Sequence, residues 1–237
     1  MSFYSEFAPW YREVFPFREA TYQFLCDHAG VQGSALLDAG CGPGSYCGRF
    51  LGDGFRVTGI DLDPKMIESA SAAYPVGEFR CMDITALASL NRSFQLIYSI
   101  GNVLAYLSVE RLEQFLGSVY EALEPGGSWI FQVVNWDYLL TQQEYTFPVI
   151  TIDEGRVTFH RRYRHISPDH VAFEVWLSSG GDILFHEESK LYACSSETFL
   201  RLHAAAGFSL EGVYAGFDKS AFLKSRNSGL VMAFTKR

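Results

Sequence analysis

The sequence predicts an α/β fold in which helices cross over a parallel sheet. Between about residues 35 and 135, short β-rich runs alternate with segments of helical periodicity, which is the pattern of strands joined by crossover helices. The runs are largely apolar, which suits strands that are buried on both faces. A glycine-rich segment, Gly40 to Gly44, directly follows the first run. Because open α/β sheets bind ligands at the carboxyl ends of their strands, a ligand site is expected there.

Five strands are predicted in this part of the chain. They span residues 36–39, 55–60, 78–82, 94–99 and 128–134. The clearest helix lies between the fourth and fifth strands, where an apolar stripe follows the N-cap candidate Ser108 and the segment Glu124 to Gly127 signals the end. Asp63 and Pro64 are expected as the N-cap and first residue of another helix, which reaches Ala73.

The C-terminal part predicts one more helix and a β pair. Ser195 and Ser196 begin the helix, and Gly207 ends it at a position that favours a left-handed backbone. Two β-rich runs, 208–214 and 229–235, follow the helix. They are expected to pair antiparallel at the end of the sheet.

Residues 146–194 show a different pattern. Here β-branched and aromatic residues recur in several runs, which are separated by turn-forming segments rich in Gly, Ser, Asp and Pro. The pattern predicts a small antiparallel meander inserted into the α/β domain.

The composition favours one globular, cytoplasmic unit. The chain has 237 residues, 48% of them hydrophobic, which is enough to build the core of one large α/β domain. A net charge of −8 disfavours nucleic acid as a partner. Five cysteines without a Cys-x-x-Cys pair favour reduced thiols. No apolar stretch has the length of a signal peptide or a membrane span, and the histidine spacing predicts no metal site.

Three acidic residues stand at the ends of the first three predicted strands. Asp38 comes two residues before the first glycine of the loop, Asp61 roughly twenty residues after that loop, and Asp83 after the third run. A carboxylate at Asp61 can accept hydrogen bonds from both hydroxyls of a ribose, which suits NAD as well as any other adenosine ligand. Asp83 can bind an adenine edge, although an acid at a strand end is also often a helix cap.

These residues resemble the motifs of the class I S-adenosylmethionine-dependent methyltransferases. The segment Asp38 to Gly44 is similar to the first motif of that family, Asp61 to its ribose acid and Asp83 to its adenine-side acid. The turn from Leu123 to Gly127 is similar to the segment that leads into the family's fifth strand. The resemblance covers residues 33–135 and implies a Rossmann-like, mostly parallel sheet of seven strands with an antiparallel C-terminal strand.

The resemblance also implies S-adenosylmethionine as the cofactor. Asp38 would orient the glycine loop and the methionine amino group, Asp61 would hold the ribose, and Asp83 with the Ile84 backbone would bind adenine. The cofactor-binding residues that the resemblance implies are Tyr11, Asp38, Gly40, Gly42, Asp61, Leu62, Asp83, Ile84 and Ser99.

Fewer signals mark the methyl acceptor. The fourth strand of the family points at the acceptor, and here it leads to Asn102 and Tyr106. In the predicted meander, Arg161 and Arg162 are candidates to bind a carboxylate or phosphate of the substrate, and His160 is a candidate general base. Charges on such a hairpin also serve solubility alone. The catalytic candidates are His160, Tyr11 and Asn102.

The register of the meander decides which of its side chains meet the acceptor. Strand alternation puts two sets of residues on opposite faces. One set is Arg161, Tyr163 and His165, and the other is His160, Arg162 and Arg164.

The sequence divides into three predicted parts. Residues 1–30 form an N-terminal helical lid, residues 31–145 and 195–237 the cofactor-binding domain, and residues 146–194 the insertion over the acceptor site. The lid is rich in aromatic residues, of which Tyr4 and Tyr11 are candidates to touch the cofactor or the acceptor. An aromatic staple that only packs the N-terminal helix is the alternative interpretation.

The predicted function is transfer of the sulfonium methyl group of S-adenosylmethionine to an N or O nucleophile of a small molecule. The Asp/Asn-Pro-Pro-aromatic motif of the base-directed amino-methyltransferases is absent, as is the Pro-Cys nucleophile of the cytosine C5 enzymes. The alternatives are a nicotinamide-dependent oxidoreductase and a non-catalytic protein that binds S-adenosylmethionine. The sequence leaves the acceptor and the oligomeric state open.

Overall fold

The computed structural model describes residues 10–237, and it contains two β-sheets with helices packed around the larger one. The strands are β1 Ala35–Ala39, β2 Arg56–Asp61, β3 Glu78–Cys81, β4 Phe94–Ser99, β5 Leu123–Val134, β6 Tyr145–Thr146, β7 Ile150–Ile152, β8 Val157–Arg164, β9 Val171–Ser179, β10 Asp182–Leu191, β11 Phe208–Tyr214 and β12 Gly229–Lys236. The α-helices are α1 Tyr11–Val14, α2 Glu19–Cys26, α3 Ser45–Gly52, α4 Pro64–Ala73, α5 Val109–Ala122, α6 Trp136–Leu139 and α7 Ser196–Ala205. Short 3₁₀ helices span Ile84–Leu90, Val103–Tyr106 and Asp153–Gly155.

The main sheet has seven strands in the order β11-β12-β5-β4-β1-β2-β3. Strands β1 to β5 pair in parallel, whereas β12 runs antiparallel to both β5 and β11. The predicted Rossmann-like fold with an antiparallel C-terminal strand is confirmed.

Local capping signals fix the starts of three helices. Asp63, Ser108 and Ser195 each accept a hydrogen bond from a backbone N–H two or three residues ahead, as predicted for N-caps. After α7, Gly207 has a φ of +95°, so the predicted left-handed position is confirmed as well.

The predicted helix stop at residues 124–127 lies within β5 rather than in a loop. Strand β5 begins at Leu123, directly after α5, and Leu123 pairs with Phe94 of β4. Regular pairing resumes only where Ser128 meets Leu96, because the intervening Pro-Gly-Gly segment shifts the register. Ser128, the predicted first residue of the strand, is therefore where the regular ladder resumes.

Helices cover both faces of the main sheet. Helices α5 and α7 bury Phe115 and Phe199 against one face, and α2 and α3 bury Phe24 and Phe50 on the other. The carboxyl ends of the parallel strands lie at the edge between these layers, where open α/β sheets place their ligands.

The second sheet has the order β10-β9-β8-β6, with β7 also paired to β8, and its pairs are antiparallel. This confirms the predicted meander. The sheet joins the main one through an apolar cluster that includes Trp136, Tyr163 and Leu191, and through a hydrogen bond of 2.7 Å from Tyr192 N to Ala105 O. The second sheet therefore lies beside the segment that follows β4.

Candidate active site

The glycine loop after β1 is held against the end of β2 by its backbone. The N–H groups of Gly40 and Cys41 both donate to Ile60 O, at 2.8 and 2.9 Å. Gly40 has a φ of +95°, and a Cβ at this position would lie 2.6 Å from a methyl carbon of Val103. Only glycine satisfies both constraints, so the loop brings bare backbone close to the segment after β4.

Asp61, at the end of β2, connects that strand to the glycine loop. Its Oδ2 accepts from Gly42 N at 2.8 Å, and its Oδ1 accepts from Asp63 N at 2.9 Å. Burial raises the pKa of Asp61, while these backbone donors oppose the rise. Each oxygen keeps a further lone pair that can accept from a ligand hydroxyl.

Asp83, after β3, is both a helix cap and part of the site. Its Oδ1 accepts from Thr85 N and Thr85 Oγ1 at 2.9 and 2.8 Å, and its Oδ2 accepts from Arg111 at 2.8 Å. Asp83 and Ile84 also line a cavity. Asp83 can therefore cap the following helix and face a ligand at the same time.

Asp38 has an unsatisfied oxygen. The residue is 2% exposed, its Oδ2 accepts from Cys47 Sγ at 3.4 Å, and its Oδ1 has no hydrogen-bond partner among residues 10–237. Burial raises the pKa of Asp38 to about 7, although Cys47 and Tyr98 act in the opposite direction. A cationic group that reached Oδ1 would satisfy this oxygen and favour the ionised carboxylate.

Two cavities lie along this edge of the main sheet. The first, called the carboxylate cavity, has a volume of about 640 Å³ and is lined by Asp61 and Asp83 among others. The second, called the aromatic cavity, has a volume of about 450 Å³ and is lined by Phe159 and Tyr163 among others. The residues that line both cavities are Tyr11, Gly40, Ile100, Gly101 and Tyr106. The cavities therefore adjoin at the glycine loop and the end of β4.

Helix α1 lies between the glycine loop and the second sheet. Arg12 donates to Pro43 O at 3.2 Å, and Glu13 accepts from Asp153 N at 2.9 Å. The ring of Tyr11 lies over Gly42, where a Cβ would be 3.5 Å from it. Burial, and then Asp61, raise the pKa of Tyr11, so its hydroxyl is neutral near pH 7. Tyr4, the other predicted lid tyrosine, lies outside the described residues.

Most of the sequence-predicted site residues meet at these cavities. Those that line the carboxylate cavity are Tyr11, Gly40, Gly42, Asp61, Leu62, Asp83, Ile84 and Tyr106. Those that line the aromatic cavity are Tyr11, Asp38, Gly40, Asn102, Tyr106 and Arg161. Three predicted residues, Ser99, His160 and Arg162, line neither cavity.

These three side chains make structural contacts instead. Ser99 is fully buried and donates to Ala39 O at 2.6 Å, which links β4 to β1. His160 stacks on Trp176 with ring centroids 4.8 Å apart. Arg162 pairs with Glu174. His160 and Arg162 lie on one face of β8, whereas Arg161 lies on the face that meets the aromatic cavity.

Asn102 lines the aromatic cavity, and its amide also joins the two sheets. Its Oδ1 accepts from Val134 N at 3.1 Å, and its Nδ2 donates to Tyr163 Oη at 3.4 Å. The backbone of Asn102 has a φ of +67°, which asparagine tolerates better than most residues. The Asn102 side chain therefore links the end of β5 to the second sheet.

Several cavity residues carried no signal in the sequence. Arg111, in the first turn of α5, lines the carboxylate cavity beside Asp83. Gln132 of β5 lines the aromatic cavity and accepts from Gly101 N at 2.9 Å. Glu187 of β10 also reaches the carboxylate cavity. These contacts join elements that are distant along the chain, and no local spacing marks them.

Comparisons with known proteins agree with this geometry. A family described as "Methyltransferase domain" matches residues 36–127. A malonyl-[acyl-carrier protein] O-methyltransferase from Erwinia billingiae is 34% identical over 108 residues, which are 46% of this chain and 42% of that protein. A solved S-adenosylmethionine-dependent methyltransferase from Clostridium acetobutylicum superposes with a TM-score of 0.81 at 20% identity, covering 99% of both chains. The methyltransferase CcbJ from Streptomyces caelestis gives a TM-score of 0.78 at 18% identity, covering 92% of this chain and 94% of that one.

Residues 36–127 carry a methyltransferase domain, and the fold is that of a solved S-adenosylmethionine-dependent methyltransferase. The chain spans about half the length of curated relatives that it matches. The matched segment, residues 36–127, contains the glycine loop and the acids that end β1, β2 and β3. The second sheet, which walls the aromatic cavity, lies outside the family match.

Two further features concern the described residues only. Between residues 10 and 237, no helix has the length and apolar character needed to cross a membrane. In the same range, no three His, Cys, Asp or Glu residues gather in a way that could hold a metal ion.

Proposed function

We propose that the protein transfers the methyl group of S-adenosylmethionine to an N or O nucleophile of a small molecule. The observation that carries this proposal is the junction of the two cavities at Gly40, Gly101 and Tyr106. The donor would lie in the carboxylate cavity with its methionine end reaching Asp38 at the near side of the aromatic cavity, and an acceptor in the rest of the aromatic cavity would meet it at that junction. When bound, S-adenosylmethionine supplies a methyl group that its sulfonium already activates.

The residues present fit this cosubstrate. The unpartnered Oδ1 of Asp38 suits the methionine ammonium, because a buried carboxylate without a donor gains most from a cationic partner. The free lone pairs of Asp61 suit the ribose diol. The carboxylate cavity continues to Asp83 and Ile84, where an adenine edge and face can be held.

The chain's own contribution to the reaction is alignment in a dry chamber. Tyr11 covers the glycine loop, and its neutral hydroxyl can donate a hydrogen bond. Holding two reactants in line can contribute roughly 7–11 kcal/mol in the best intramolecular cases. An amine with a free lone pair needs little more, whereas an alcohol also needs a positioned base. The raised pKa keeps the Tyr11 hydroxyl protonated at neutral pH, where a neutral phenol is a poor base, so Tyr11 acts as an orienting group.

Residues 10–30 and the second sheet form the cover of this chamber in the proposal. The contacts of Arg12 with Pro43 and of Glu13 with Asp153 N support a lid that spans both walls. The division into lid, cofactor domain and insertion is kept on this basis. A cytoplasmic location is proposed separately, on the five cysteines without a Cys-x-x-Cys pair. The acceptor can be free or carried on a partner, since the Erwinia relative is named for an acyl-carrier protein substrate.

Calorimetric titration tests the first step. S-adenosylmethionine and S-adenosylhomocysteine are expected to bind with micromolar affinity, and NADH is expected not to bind. Binding of NADH alone would favour the oxidoreductase alternative. Release of S-adenosylhomocysteine is then measured with panels of small amines, alcohols and acids. Tight binding without turnover on any panel member would favour a non-catalytic binding protein.

A further inference from the structure

Arg161 is the feature of the aromatic cavity that the proposed function leaves unexplained. This residue of β8 lines the cavity, and no ion pair or side-chain hydrogen bond joins it to any residue between 10 and 237. Its strand neighbours behave differently, because Arg162 and Arg164 pair with the buried carboxylate of Glu174 at 2.5 and 2.6 Å. The strand therefore carries two arginines that share one carboxylate on one face and a third arginine without a counter-ion on the other.

The surroundings of Arg161 are aromatic. Its guanidinium carbon lies 4.7 Å from the ring centroid of Phe147, 5.3 Å from that of Phe159 and 5.5 Å from that of Phe15. Its Nε is buried without a hydrogen-bond partner among residues 10–237. Aromatic faces attract a cation, but they do not take up the planar N–H donors of a guanidinium as a carboxylate does.

Arg161 is half-buried, and leaving a half-buried guanidinium unpaired carries a desolvation cost for folding. Burial lowers the pKa of Arg161, yet a guanidinium stays protonated at neutral pH. A purely structural arginine would be expected to have a partner such as Glu174, and a solubilising one would project into water. Arg161 does neither, so its donors are available to a ligand in the cavity.

We propose that the methyl acceptor carries a carboxylate, which binds Arg161, on an apolar or aromatic body. This inference rests on the proposed function, because it identifies the occupant of the same cavity. The planar fork of the guanidinium matches a carboxylate in a bidentate contact. The rings of Phe147 and Phe159 then pack against the body of the acceptor.

A singly charged group suits the cavity better than a phosphate dianion. Among the described residues, the other basic side chain that lines the aromatic cavity is Arg18, which is exposed, and Asp38 adds a carboxyl group. A dianion would leave much of its charge unpaired in an aromatic environment, at a high desolvation cost. The methionine carboxylate of the cosubstrate is the other possible source of the anion. Arg161 lies on the second-sheet wall, whereas Asp38 and Gly40 lie on the main-sheet wall, which favours the acceptor.

The test uses matched probes on the whole chain saturated with S-adenosylhomocysteine. Phenylacetate, neutral phenylacetamide and phenyl phosphate are titrated against the wild type, Arg161→Met, Arg161→Lys and the control Arg156→Met. Arg156 precedes β8 and forms an exposed ion pair with Asp153. The wild type and the control are expected to bind phenylacetate about ten- to a hundredfold more tightly than the amide, the range for hydrogen bonds to a charged group. Arg161→Met is expected to abolish that preference, and Arg161→Lys to keep part of it.

A second readout needs no probe. Removing an unpaired, half-buried charge is expected to raise the melting temperature of the free Arg161→Met protein by about 2–4 °C. A structural role for Arg161 would instead lower it. This measurement also shows whether the variant folds.

Several outcomes would overturn the inference. Equal or absent binding of phenylacetate and phenylacetamide does so, as does tighter binding of phenyl phosphate. If Arg161→Met weakens S-adenosylhomocysteine but leaves 5′-methylthioadenosine unaffected, the arginine serves the cosubstrate instead. Repeating the titrations without S-adenosylhomocysteine separates the two proposals. A wild type that prefers phenylacetate but binds neither S-adenosylmethionine nor S-adenosylhomocysteine contradicts the proposed function and leaves the carboxylate site standing.

Discussion

Replacing Asp61 with alanine removes the carboxylate that joins the end of β2 to the glycine loop. The side chain accepts from Gly42 N at 2.8 Å and from Asp63 N at 2.9 Å. Each hydrogen bond to a charged group stabilises the fold by roughly 1.5–3 kcal/mol. The alanine variant no longer buries a carboxylate, and the desolvation cost that it avoids offsets part of the loss. The expected net loss of stability is about 1–2 kcal/mol, which lowers the melting temperature by roughly 3–6 °C in a chain of this size.

The effect on cosubstrate binding is expected to be larger. Two lost hydrogen bonds to the ribose diol amount to about 3 kcal/mol or more, which is roughly a hundredfold in affinity. Calorimetry with S-adenosylhomocysteine measures the change directly. Asp61→Asn tests charge at constant size and is expected to bind nearly as weakly, since its amide can accept only one of the two backbone N–H groups.

Asp169→Ala is the control, because Asp169 is an exposed acid between β8 and β9. Its melting temperature and its affinity for S-adenosylhomocysteine are expected to match the wild type. If folded Asp61→Ala binds S-adenosylhomocysteine within threefold of the wild type, the role given to Asp61 is refuted.

Three further predictions concern the same site. Burial raises the pKa of Asp38 to about 7. Between about pH 4 and 7, the folded protein therefore holds a proton on Asp38 that the unfolded chain releases. Its contribution to stability is therefore expected to fall as the pH rises across that window, and urea titrations should show that Asp38→Asn removes this slope. The affinity for S-adenosylmethionine is expected to increase as the pH rises through 7 in the wild type but not in Asp38→Asn, because the methionine ammonium binds the ionised carboxylate of Asp38. In Gly40→Ala, a backbone φ of +95° is combined with a Cβ that would lie 2.6 Å from Val103. Gly33→Ala is the matched control, because its φ is +86° but its Cβ would meet open space. Thermal melts should therefore show the larger loss of stability in Gly40→Ala. A comparable loss in Gly33→Ala would mean that backbone strain alone is responsible. His160→Asn should keep the rate of S-adenosylhomocysteine release within about threefold, since the imidazole faces Trp176, and a hundredfold loss would restore His160 as a candidate base.

The cofactor side of the site could be predicted because its signals are local. Gly40 has a left-handed backbone conformation that other residues adopt only with strain. Asp61 ends an apolar strand, and the carboxyl end of such a strand lies at the ligand-binding edge of the sheet. The N-cap at Ser108 acts over three residues, so its neighbours in the chain are enough to reveal it. Such signals depend on backbone conformation and periodicity, which the sequence records directly.

The acceptor side depends on contacts between distant segments. Asn102 was predicted to meet the substrate, and it does line the aromatic cavity, but its amide is also committed to Val134 N and Tyr163. Arg111 and Asp83 are 28 residues apart in the sequence, and no pattern near either residue indicates that their side chains form a hydrogen bond.

The sequence by itself determined the main strands of the large sheet, the glycine loop and the three acids that follow its first strands, because apolar runs, caps and glycines act over a few residues. Only the tertiary structure decided which face of β8 meets the cavity. Alternation separates Arg161 from Arg162, but a slip of one residue would exchange them. The choice was made by packing of the second sheet, which pairs Arg162 with Glu174 and leaves Arg161 among aromatic rings.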